Sequence, residues 1–194
     1  MRFFLRLRED QRELSKLILY FRRIQMEYSL KRSFSTLILV LVSLAAAGCG
    51  DRSQKDAASY QEGVDAYSQG NFSVALEKLK TPAEHGNPKA QFYLGLMYRQ
   101  GNGVAQNDKE AAIWWSKAAE QGNMEAQENL GLIYAKGLGV ERDWVQADKW
   151  FSIAAASGKE TAVNNKKTVE LHMQPEGIAQ ANALAKDWLE KHKK

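Results

Sequence analysis

Few residues of this chain are of a type and spacing that chemistry could use. His85, His172 and His192 stand far apart, without the short spacings of metal ligands. The one cysteine, Cys49, can neither close an intramolecular disulfide nor complete a Cys/His cage. No Ser–His–Asp or Cys–His order can be assembled, and the carboxylates are scattered over the chain. Gly101-Asn102-Gly103 and Gly137-Leu138-Gly139 have the glycine content of phosphate cradles, but no strand precedes either. His85 stands just before Gly86 at a helix end, where a cation suits the dipole. These residues predict no enzyme, no metal and no cofactor.

Charge narrows the classes further. Residues 1–48 carry nine Lys/Arg and four Asp/Glu, a net of +5, while residues 49–194 carry eighteen and nineteen, a net of −1. The basic character therefore belongs to the leader. A nearly neutral body has no electrostatic footprint for nucleic acid, and that partner class is set aside.

Ser33 to Gly50 has no charged residue; Leu37–Ala47 reads LILVLVSLAAA, with Lys31 and Arg32 just before it. A basic start, an apolar core and a small-residue end is the plan of a signal peptide. The apolar core falls short of the ~20 residues a spanning helix needs. Residues 1–25 do not fit that plan. They read either as a basic amphipathic helix on a membrane surface or as an extension preceding a true start at Met26, and the second gives a leader of normal length. After Cys49, DRSQKDAAS is polar and reads as a tether.

The body repeats itself. Set at an offset of 36, Ala90–Gly122 and Ala126–Gly158 share fifteen of 33 residues, including Ala90, Gln91, Leu94, Gly95, Leu96, Tyr98, Ala111, Trp114 and Gly122. Ala90, Leu94 and Tyr98 mark one helix face, and the GxG tripeptides end that helix. Asn107 with Glu110, and Asp143 with Gln146, have the spacing of an N-cap and its partner. A second helix then runs to Gly122 or Gly158, where a left-handed C-cap suits glycine. Asn87-Pro88 opens the next one. Each unit is a helix–loop–helix hairpin, with Trp114, Trp115, Trp150 and Phe151 expected as core between hairpins. Before these, Gly63 to Gly86 forms a hairpin whose loop is shorter by five residues. After them a helix begins near Thr161, with Val163, Val169 and Leu171 apolar. Pro175 opens a last helix through Trp188, and its Lys-rich end (Lys186, Lys191, Lys193, Lys194) suits a polar cap.

Two resemblances follow from these residues. Leu44-Ala45-Ala46-Ala47-Gly48-Cys49 resembles the lipobox of bacterial lipoproteins, with Ala46 where that family usually has leucine. The resemblance implies cleavage before Cys49, diacylation of Cys49 and a bacterial cell envelope location. Gly50 after the cysteine favours the periplasmic face of the outer membrane, although Asp51 follows. The competing readings are an uncleaved inner-membrane anchor and a merely buried cysteine. The motif AxxxLGxxYxxGxGVxxDxxxAxxWxxxAAxxG is similar to the Sel1-like repeat, a relative of the tetratricopeptide repeat, with Asn107 in place of the motif's aspartate in the first unit.

The expected fold is all-α, an α/α superhelical solenoid of helix-turn-helix repeats. Its parts are an extension (1–25), a signal peptide (26–48), a tether (49–58), a degenerate tetratricopeptide-like hairpin (59–87), two Sel1-like repeats (88–123 and 124–159) and capping helices (160–194). The resemblance implies an adaptor that binds a protein partner, anchored in the membrane through Cys49. An enzyme or ligand-binding protein of cell-wall metabolism, acting on β-lactam or peptidoglycan, is the alternative it leaves open. Stacked hairpins present a concave face built largely by first helices. Repeated residues should build the scaffold, and contacts should fall where units differ, as at Gln100 and Lys136. Phe92, Tyr93, Arg99, Glu128 and Asn129 are the expected partner contacts. Trp144 joins them as an unrepeated tryptophan at an exposed helix start.

Overall fold

Short polar side chains set the starts of four helices. Asn87 accepts from the backbone N–H of Lys89 and Ala90, with Pro88 following at the first helical position. Asn107 caps Glu110, Asn123 caps Ala126 and Asp143 caps Gln146 through the same side-chain bond. The computed structural model describes residues 51–193, and these contain helices and turns but no strand. The helices are α1 (51–68), α2 (Phe72–Glu84), α3 (Pro88–Gln100), α4 (Asp108–Glu120), α5 (Met124–Lys136), α6 (Trp144–Ala156), α7 (Glu160–Glu170) and α8 (Pro175–Lys191). The extension 1–25, the signal peptide 26–48 and Cys49 lie outside the described residues. Of the expected tether, residues 51–58 are helical. Asp56 is drawn into the body from there, 2.7 Å from His85 at the end of α2. A polar stretch of good helix formers extends the first helix rather than forming a linker.

From Gln54 onward the chain is one compact unit. Each helix from α2 to α6 packs on the next, and α6 also holds α8. Ala90, Ala111, Ala118, Ala119, Ala126 and Ala154 are all fully buried, so neighbouring helices approach closely. The aromatic residues expected as core between hairpins lie in clusters that join one hairpin to the next: Trp115 and Trp150 with Ala126 and Ile133, Trp114 against the cluster of α2 and α3, and Phe151 with Val169 of α7. Trp115 and Phe151 also fill gaps inside their own hairpins: a Cβ on Gly95 would overlap the Trp115 indole, and one on Gly131 would overlap the Phe151 ring. Trp115 is fixed there by donating its Nε1–H to the carbonyl of Phe92 at 3.1 Å. Trp150 is buried and meets Trp188 of α8 edge-on, whereas Trp114 is half-buried with Lys117 over its ring.

The repeated Gln91 and Gln127 join successive hairpins. Each is buried, and each donates its amide to the last turn of the preceding helix, Gln91 to Ala83 and Gln127 to Ala119. Gln121 then donates to the Gln91 carbonyl oxygen at 2.8 Å. In the next unit Gln121 is replaced by Ser157, whose hydroxyl turns back to Ile153, and the Gln127 carbonyl oxygen is left buried without a partner. Ser157→Gln is therefore expected to stabilise the domain by about 0.5–1.5 kcal/mol, the net value of one hydrogen bond. Urea denaturation of the two proteins measures it, and an unchanged midpoint would refute this account of the orphaned oxygen.

The C-terminal helices continue the repeat in altered form. At the same offset of 36, the buried Ala162 and Val169 of α7 stand where Ala126 and Ile133 stand in α5. The apolar positions expected at Val163 and Leu171 are instead exposed, Leu171 at 84%. Lys167 replaces Gly131, so the close approach that a glycine permits is lost. The last helix packs on α6 rather than forming a hairpin with α7. Lys166 replaces Leu130 and reaches Asp148, which replaces Ala112, at 2.9 Å. Ala112 and Leu130 belong to one apolar cluster, so the exchange puts an ion pair where the preceding unit has a small–large apolar contact. Lys166 also reaches Glu170 at 2.8 Å and Asn182 at 3.0 Å, tying together α6, α7 and α8.

Candidate functional site

First helices of successive hairpins approach one another less closely than each approaches the second helices beside it. Between α3 and α5 this leaves a cavity of about 380 Å³. Leu96, Leu132 and Leu138 supply its apolar lining, with the Trp115 indole behind them. Arg99, Asn129 and Lys136 supply polar groups around it. Arg99 and Lys136 lie in the last turns of their helices, where unpaired carbonyls favour a cation.

Two of the six expected contact residues, Arg99 and Asn129, line this groove. Phe92 and Tyr93 lie beside it in an aromatic group. Phe92 meets Tyr93 at 5.6 Å, and Tyr93 meets Tyr67 at 5.3 Å and Tyr60 at 6.4 Å. Burial, followed by the neighbouring Tyr93, raises the Tyr60 pKa above its ordinary value. Glu128 is turned away and engaged, 3.0 Å from Lys159 and accepting from Asn165 at 3.2 Å. Its role is to hold α7 against α5.

Trp144 is not the exposed residue the sequence suggests. The turn after α7 covers it: His172 stacks on the indole at 4.9 Å, Arg142 lies over it at 5.2 Å, and Leu132 and Met173 pack in the same cluster. Its repeat equivalent, Asp108, gave no sign of this, because the covering segment has no counterpart in the preceding unit.

The groove also contains residues that sequence reasoning passed over. Leu96 and Leu132 are identical between units, which reads as scaffold, yet both are half-buried and line the opening. Lys136, which replaces Gln100 at the 36-residue offset, also lines the groove although it is not among the expected contacts. The available signal was its place in the last turn, next to a loop glycine. Among the described residues no group of three or more His, Cys, Asp or Glu side chains is placed to hold a metal ion. Also among the described residues, no helix is long and apolar enough to cross a membrane.

The family model described as Sel1 repeat matches residues 88–123 and 125–159. No curated protein matches the chain. Among solved structures, the chain is 35% identical to a protective antigen present in uropathogenic Escherichia coli strains that displays an SLR fold, with a TM-score of 0.68. That likeness covers 73% of this chain and 31% of the other, so the chain spans about a third of its length. A Sel1 repeat protein from Oxalobacter formigenes is 32% identical, with a TM-score of 0.56, over 66% of this chain and 55% of that one.

Proposed function

With two Sel1 repeats at its centre, the chain is a Sel1-like repeat protein, and we propose that it is a protein-binding scaffold of the bacterial cell envelope, held there by lipid on Cys49. Sel1 repeat proteins are generally protein-interaction scaffolds, typically without catalysis. The observation that carries the reading here is the groove between α3 and α5, where apolar floor and polar rim meet as they do in interface cores. The anchor rests on the lipobox-like Leu44–Cys49 and the uncharged segment before it. A cell-wall enzyme finds no support in these findings.

Two experiments test the proposal separately. The mature protein should carry a lipid-modified N-terminal cysteine, and Cys49→Ala should abolish the modification and release the protein from the membrane fraction. A processed but unmodified Cys49 would overturn the anchor. For the scaffold, a photo-crosslinking residue in place of Lys136 should capture one predominant envelope protein in cells. The same probe in place of Lys80, on the exposed side of α2, should not. Equal capture from the two positions, or none, would overturn the groove as the binding face.

A further inference from the structure

Resting on the scaffold reading, we propose that the α3–α5 groove takes an extended acidic segment of its protein partner, with apolar side chains against Leu96 and Leu132 and an aspartate or glutamate side chain between Arg99 and Lys136. Charge complementarity carries the assignment. Lys136 is exposed, and none of the described residues forms an ion pair with it. The Arg99 guanidinium stands 3.3 Å from the Asp108 carboxylate, yet that oxygen is buried without a hydrogen bond, so the donors of Arg99 are largely unspent. Glu128, the nearest acid on α5, is already neutralised by Lys159. The groove thus carries the unpaired Lys136 beside the Arg99–Asp108 pair, a net positive charge within a nearly neutral body. A basic segment would face repulsion from Lys136, and a purely apolar one would leave Lys136 uncompensated.

The geometry also suits an extended chain. Side chains of an extended strand alternate in direction, so apolar residues can point to the floor while acids between them reach the rim. The Asn129 amide, which has no hydrogen-bond partner among the described residues, is placed to bond the backbone of such a strand. Phe92 and Tyr93 continue the apolar surface along α3.

The test uses the full chain in mild detergent and three fluorescein-labelled peptides blocked at both ends. They carry alternating leucine and glutamate, leucine and glutamine, or leucine and lysine between serine flanks. Fluorescence anisotropy should show binding of the glutamate peptide that weakens as salt rises. The glutamine peptide should bind about tenfold more weakly, and the lysine peptide not measurably. Lys136→Glu should weaken the glutamate peptide about tenfold or more at an unchanged melting temperature, while Lys80→Glu should not. Equal affinity for the glutamate and glutamine peptides, indifference to Lys136→Glu, or no binding of any peptide would overturn the proposal. Its failure is separable from that of the scaffold reading. A crosslink from position 136 to a neutral or basic segment of an envelope protein would end the acidic assignment and leave the scaffold standing.

Discussion

Lys166→Leu is expected to destabilise the domain by about 3–5 kcal/mol, the usual cost of leaving a buried charge without its partner. Asp148→Ala, which removes the same ion pair from the other side, should cost only about 1.5 kcal/mol, the lower end for a bond to a charged group. The asymmetry comes from burial. The Asp148 side chain is fully buried and the Lys166 side chain is 22% exposed. Without Lys166, Asp148 keeps only Ser152, at 3.5 Å. Without Asp148, Lys166 keeps Glu170, Asn182 and water. The double variant Asp148→Ala/Lys166→Leu restores the Ala112–Leu130 pairing of the preceding unit. It should be at least as stable as the native chain, because a well-packed apolar pair often matches or exceeds a buried ion pair. Denaturant titration of the four proteins closes the cycle.

The pH dependence supplies a second readout. Burial raises the Asp148 carboxyl above its ordinary value of 3.8, and the Lys166 ammonium opposes that only in part. The folded protein therefore keeps this proton at pH values where the unfolded chain has lost it. Stability from this group falls as pH rises from 3.8 through the folded-state value. Lys166 is raised because Glu170 and Asp148 together outweigh its own burial. Its contribution is complete below 10.5 and is lost as pH rises through the folded-state value. In Lys166→Leu the opposing charge is gone, so the acid-side fall should be steeper and reach higher pH. In Asp148→Ala it should vanish. A Lys166→Leu protein as stable as the native one, with an unchanged acid slope, would show that the pair is not buried in solution.

The same pair marks where the sequence stops being legible. Within 88–159 the 36-residue offset fixes helix ends, caps and glycine positions, because each feature recurs and each recurrence has a local cause. Asn107 and Asp143 cap alike, and Gly95 and Gly131 each accept an aromatic ring. Beyond Gly158 the register persists, as Ala162 and Val169 show, but Lys166 and Lys167 occupy the leucine and glycine positions. The identities then look like a polar surface helix, and only the structure reveals that Lys166 answers Asp148. Trp144 departs from its expected exposure for a related reason, since its cover comes from His172 and Met173 in a segment with no repeated partner. Leu96 and Leu132 show the limit of reading repetition as scaffold: a position can recur because every unit needs it at the edge of the same groove.

Gly139→Ala is expected to cost roughly 2–5 kcal/mol, combining about 1–2 for a left-handed backbone with about 1–3 for overpacking. Gly139 sits at a φ of +68°, and a Cβ there would strike the backbone of Asp108 and Lys109 at the start of α4. That backbone cannot turn aside without breaking the cap in which Asn107 accepts from Glu110 at 3.1 Å. Gly103 meets the carbonyl of Phe72 at the start of α2 in the same way. The second glycine of each GxG loop is thus a joint that seats one hairpin on the helix start of the hairpin before it. Gly122 isolates the two contributions, since its φ is +84° but a Cβ there has no neighbour within 4 Å. Gly122→Ala should therefore cost only the backbone part. Because Leu138 lies beside Gly139 and lines the groove, Gly139→Ala should also weaken capture of the acidic peptide, while Gly122→Ala should leave it intact. Unfolding midpoints that fell equally in the two variants would mean the loop is an ordinary turn, with no part in stacking the repeats.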